Sequence, residues 1–131
     1  GFNGYGSLIT ASTKLLTEKP DLAQRFLDAS IEGWYSYLYG DPAAANALMK
    51  RDNPEMTDAL LDYGRTVLRE RGIVDSGDTL TLGIGAMSDA RWESFFKSMA
   101  GQGLYPSTLD YKRAYTLQFA NKATGLAMRP K

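Results

Sequence analysis

No cysteine and no histidine occur in the 131 residues. Their absence excludes thiol nucleophiles, disulfides, histidine-ligated metal sites and the commonest general base. No cofactor and no metal is expected, and the chain does not read as an enzyme. Charge of one sign is not in excess: 15 basic and 15 acidic residues give a net charge of zero. Sequence-independent nucleic-acid binding needs a concentrated basic surface, so no nucleic-acid partner is expected. No run of about 18 apolar residues occurs, so no membrane span is coded.

What is present suits one domain with a real core, since 44% of the residues are hydrophobic. The opening GFNGYGS has three glycines spaced G-x-x-G-x-G, which is neither a dinucleotide loop nor a P-loop. YGSLITA, running from Tyr5 to Ala11, reads as one short strand. A lone strand leaves half its backbone groups unpaired and expects a partner.

Helices follow. Ser12 or Thr13 caps a short helical turn, TKLLTEK, that stops before Pro20. Pro20 and Asp21 open the longest helix, which Gly40 ends. Leu22, Phe26, Ala29, Ile31, Trp34, Tyr37 and Leu38 recur near helical spacing and predict its buried face. Gly33, inside this helix, predicts close approach of another backbone. Asp41-Pro42 starts the alanine-rich AAANALMKR, and Thr57 caps DALLDYGRTVLRER, which Gly72 closes. IVDSGDTLTLGIGAM reads as a loop. Ser88 then caps a helix with Trp92, Phe95, Phe96 and Met99 inward, and Ser107 is a candidate cap for a short helix ending near Arg113. Tyr35 and Tyr39 share a face and read as a stacking surface, as satellite packing or as a subunit contact. Scattered carboxylates such as Asp58 and Asp62 read as solvated helix faces.

The order of these features resembles the C-terminal half of substrate-binding proteins of ABC transporters, of the nitrate/sulfonate/taurine type and its relatives that bind a thiamine-pyrimidine precursor. The matching residues are Tyr5, Gly6, Lys14, Pro20, Asp21, Leu22, Arg25, Phe26, Ala29, Gly33, Trp34, Asp41, Pro42 and Ala43 to Ala45. Further on they are Gly83, Gly85, Met87, Asp89, Arg91, Trp92, Gly101 or Gly103, Leu104, Tyr115, Thr116 and Phe119. Leu117 stands where the family has Asn or Asp.

The resemblance implies a mainly α chain with one or two short strands, the helical C-terminal part of one lobe of a bilobal α/β type II periplasmic-binding-protein fold. On that reading 1–11 is a hinge-like strand, 12–123 are helices completing the lobe, and 124–131 is a flexible tail. The first lobe's early strands and most of the second lobe would precede Gly1: either a longer protein was cut, or a half works differently, or two copies pair through the exposed strand. The resemblance further implies a small organic or anionic solute held between two lobes, a transporter permease as partner, and a periplasmic or cell-envelope location. Asn3, Tyr5 and Ser7 would lie nearest the ligand, and Gly4 and Gly6 would serve as hinge. Asn3 equally suits a simple turn. Beside this stands a helical interaction module that self-associates or binds a protein partner, with a homodimer formed through residues 5–11.

Overall fold

A computed structural model describes residues 3–130. Gly1 and Phe2, the start of the hinge-like segment, and Lys131, the end of the tail, lie outside the described residues. Among the described residues six α-helices follow one another: α1 Thr13–Glu18, α2 Pro20–Tyr39, α3 Ala43–Asp52, α4 Asp58–Glu70, α5 Thr79–Leu82 and α6 Asp89–Gly101. Single 3₁₀ turns form at Tyr111–Ala114 and Leu126–Met128. Among the described residues no helix is long and apolar enough to cross a membrane.

The helix starts follow local chemistry. Ser12 Oγ accepts from the Leu15 amide at 3.1 Å, Thr57 Oγ1 from Leu60 at 3.2 Å, and Ser88 Oγ from Arg91 at 3.3 Å. Each satisfies an amide that the first turn leaves without a carbonyl. Pro20 is the first residue of α2, where its missing N–H costs nothing. At α3 the cap is displaced by one residue. Pro42 precedes the helix, and Asp41 Oδ1 accepts from the Ala43 amide at 2.9 Å. The C-terminus of α2 is closed by Arg65, which donates to the carbonyls of Tyr37 at 2.7 Å and Gly40 at 2.8 Å. A cation there also meets the negative end of the helix dipole.

The core is built on the side of α2 that carries Ile31, Tyr35 and Leu38, joined by Ile84 from the segment before α6. Leu27, Tyr39, Leu68, Val74 and Leu126 pack around it. Tyr35 is 0% exposed, and its hydroxyl accepts from the Ile84 amide at 3.1 Å. A buried phenol is tolerable only with such a partner.

Several expectations need correction. The described part of the chain contains no strand. Residues 5–11, between Tyr5 and Ala11, meet no second backbone to pair with, and Leu8 and Ile9 are exposed. Tyr35 is the centre of the core rather than an outer stacking surface, although it does stack on Tyr39 at 6.2 Å. Of the face expected to be buried on α2, Ile31 and Leu38 are in the core, but Leu22, Phe26 and Trp34 are exposed, Trp34 by 41%, so the buried side is narrower and shifted towards Leu27 and Tyr35. Nothing approaches within 4 Å of the place a Cβ on Gly33 would occupy, so no backbone packs there. The loop after α4 contains α5. Ser107 caps nothing, and the turn near it begins after Asp110.

Within the segment read as a tail, 124–131, Thr124 donates to Asp28 at 3.0 Å and Arg129 reaches Asp75 and the carbonyls of Thr79 and Leu80. This strap crosses over α2 and closes the core from above.

Candidate functional site

Two of the three expected ligand residues, Asn3 and Tyr5, meet the N-terminus of α6. Asp89 in its first turn and the Ser88 cap fix where the helix begins. The amide of Ser88 itself donates to the Tyr5 hydroxyl at 2.8 Å, across 83 positions of sequence. Arg91, one turn in, donates from Nε to the Asn3 carbonyl at 3.1 Å and from Nη2 to the Gly4 carbonyl at 2.7 Å. Its guanidinium lies 4.2 Å from the centre of the Tyr5 ring, a cation–π distance. The opening segment is thus clamped to α6 by one arginine and one tyrosine.

An aromatic stack backs the clamp. Trp92 lies 5.4 Å from Tyr5 and 4.7 Å from Tyr115, parallel to the latter within 6°. Phe95 supports Gly4: a Cβ there would sit 3.0 Å from the phenyl ring. Gly4 therefore answers a demand for close packing, whereas open space surrounds Gly6. The stack is incompletely satisfied, because Trp92 Nε1 is buried with no acceptor among the described residues. Such an orphan donor costs about 1–3 kcal/mol.

Tyr115 donates to Asp89 Oδ1 at 2.5 Å. That hydrogen bond first, then burial and the carboxylate's charge, push the Tyr115 hydroxyl up to about 12. Its folded pKa is raised above 10.0, so its contribution to stability is complete below pH 10 and is lost as pH rises towards 12. Of the eight tyrosines, Tyr39 is also raised, by burial and the Asp75 carboxylate, so ultraviolet titration is expected to show a late phase to which Tyr115 contributes one tyrosinate. In Asp89→Asn the late phase should shrink by one tyrosinate.

Beside the clamp an open groove of about 410 Å³ is lined by Asn3, Ser76, Asp78, Ser88, Ala90 and Arg91. Two of its walls come from segments that are distant in sequence, the opening residues and the turn before α5. Asn121 holds the rim in place: its Oδ1 accepts from the Met87 amide at 3.0 Å and its Nδ2 donates to the Met87 carbonyl at 2.8 Å.

The three expected ligand residues separate. Asn3 lines the groove. Tyr5 stands behind it with its hydroxyl engaged by Ser88. Ser7 is exposed and does not line the groove. Sequence reading did not select Arg91, Ser76 or Asp78 as site residues. Arg91 carried a signal, its place in the Arg-Trp pair of the family resemblance, while Ser76 and Asp78 sat in an apparently plain loop.

No protein-family model matches the chain, and neither a curated protein nor a solved structure does.

Proposed function

We propose that the chain is the C-terminal part of a solute-binding component of an ABC uptake transporter, completing one lobe of a type II periplasmic-binding-protein fold. It is not an enzyme. Its ligand is a small organic or anionic solute held between two lobes, its partner is a transporter permease, and its location is the cell envelope.

One observation carries the reading. Arg91 and Tyr5, which belong to two separate motifs of the resemblance, meet in a single clamp beside the groove. An arginine with one edge fixed on carbonyls still presents donors for an anionic group. The amide of Asn3 offers both donor and acceptor atoms at the same rim.

The test is calorimetric titration of the protein at its full encoded length with nitrate, bicarbonate, a sulfonate, a pyrimidine and an aromatic acid. Saturable one-to-one binding of one of these is expected, and residues 1–131 by themselves should bind it poorly. Losing charge-assisted hydrogen bonds costs about 1.5–3 kcal/mol, so Arg91→Ala should weaken binding about tenfold or more. Absence of binding by the whole panel, or binding indifferent to Arg91, would overturn the reading.

A second reading, a helical module that self-associates, is favoured by a different observation, the large apolar surface left uncovered on α2 and α4.

A further inference from the structure

The surface of the chain is too large for its mass. A folded monomer of 14.4 kDa exposes roughly 6,800 Å² on the general scaling of surface with mass. This chain exposes 9165 Å², an excess of about 2,300 Å². A specific protein interface takes about 800 Å² from each partner.

Large hydrophobic side chains are among the exposed groups, and part of them has an ordered layout on α2. Leu27, Ile31, Tyr35 and Leu38 form the stripe turned to the core. On the opposite side Leu22, Phe26, Ala29, Gly33 and Tyr37 follow one another at spacings of three and four, which makes a second stripe. That stripe contains no charged residue. Phe26 is 61% exposed, and the space over Gly33 is empty. A helix apolar on both sides belongs between two layers, and only one is present among the described residues.

We propose that the second layer is another copy of this chain, docked through α2 in antiparallel, two-fold fashion. The stripe is self-complementary about the point between Ala29 and Ser30. Antiparallel pairing there sets Phe26 against Gly33 of the partner subunit, so that the largest exposed side chain of the stripe enters its one notch, twice. Leu22 faces Tyr37 of the partner subunit. Ala29 falls beside the two-fold axis, where a small side chain lets the backbones approach.

Charge supports the same register. Arg25 and Glu32, seven residues apart, border one edge of the stripe, and both are exposed with no ion pair among the described residues. A two-fold axis of this kind brings like edges together. Arg25 then lies about 3 Å along the axis from Glu32 of the partner subunit, and the pair forms twice. The net charge of zero opposes association by no long-range repulsion. The proposal concerns only the outer side of α2; on the transport reading the preceding part of a longer protein competes for the uncovered surface, and a monomer at every concentration is then the expected result.

Sedimentation velocity and light scattering across the micromolar range test it. The expected result is a concentration-dependent dimer. Phe26→Glu should weaken it by about a hundredfold or more, as for a central anchor, with the helical circular-dichroism signal unchanged because Phe26 is 61% exposed and outside the core cluster. Arg25→Glu and Glu32→Arg should each weaken it, and the double variant should recover. The chain has no native cysteine, so Ala29→Cys gives a clean probe: mild oxidation should link two copies. A monomer at every concentration would overturn the proposal. So would a dimer that survives Phe26→Glu, which would place association elsewhere, for instance on residues 5–11. Failure of the double charge reversal to recover would overturn the register.

Discussion

Replacing Gly125 with valine should lower the melting temperature by on the order of 10 °C. Two separate strains combine at this position. Gly125 has φ 68°, in the left-handed region where a side chain costs about 1–2 kcal/mol. A Cβ there would also stand 2.7 Å from Tyr35 Cδ2. Tyr35 is 0% exposed and its hydroxyl is tied to Ile84, so its ring has nowhere to move. Overpacking of this kind typically costs 1–3 kcal/mol. Together the two come to about 3 kcal/mol, and each kcal/mol is worth about 4 °C in a domain of this size. Gly77 separates the two contributions. It has φ 60° but open space at the Cβ position. Gly77→Ala should therefore show backbone strain alone, and Gly125→Ala strain plus the collision. Thermal melts of the two alanine variants in parallel check this: equal losses would mean that the Tyr35 contact carries no cost.

The helices were legible because their determinants are local. Ser12, Pro20, Gly40, Thr57 and Ser88 each act on amides or carbonyls within one turn of themselves, and each marks a boundary in the structure to within a residue. The shift in the buried side of α2 was not legible for a physical reason. Both stripes of that helix are apolar, and Leu22 and Phe26 advertise burial as strongly as Leu27 and Tyr35 do. Periodicity identifies an apolar stripe but cannot say which of two meets the core. The choice is made by Ile84 and Leu126, which arrive from more than 45 positions away in sequence.

The strand expected at residues 5–11 fails in a comparable way. Leu8 and Ile9, apolar and compatible with a strand, describe a segment able to pair, while pairing itself requires an edge that the described residues do not supply. α5 was hidden because four residues, TLTL, lack the length for a helical period. At the candidate site Asn3 was legible as a polar residue beside a glycine turn. Its partner Arg91 stands 88 positions on, and nothing local to either residue shows that they meet.

Removing Arg129 should cost about 3 kcal/mol or more, the expected loss when one partner of a buried ion pair is deleted. The Asp75 carboxylate is 3% exposed and the Arg129 side chain 19%. Arg129 engages both carboxylate oxygens, donating to Oδ2 from Nε at 2.8 Å and to Oδ1 from Nη2. Tyr39 and Thr79 each add a hydrogen bond at 2.7 Å. Arg129→Ala leaves that carboxylate buried with two neutral donors and no counter-charge. Asp75→Ala strands the guanidinium instead, but Arg129 retains the Thr79 and Leu80 carbonyls and is nearer water, so the loss should be smaller. The double variant should lose less than the sum of the singles, since neither charge is then left alone.

Acid dependence gives an independent reading of the same pair. Burial pushes the Asp75 carboxyl up, but the hydrogen bonds from Arg129, Thr79 and Tyr39, with the charge of Arg129, outweigh it and hold the group below 3.8. A depressed folded pKa means that its contribution is complete above pH 3.8 and is lost as pH falls further through the folded value. Chemical denaturation between neutral pH and pH 2 should therefore show wild type losing stability at the acid end more steeply than Asp75→Asn, which has no proton to gain. Parallel acid limbs for the two proteins would mean that Asp75 and Arg129 do not act as an ion pair, and the strap over α2 would then owe its attachment to Leu126 and to the Thr124–Asp28 hydrogen bond.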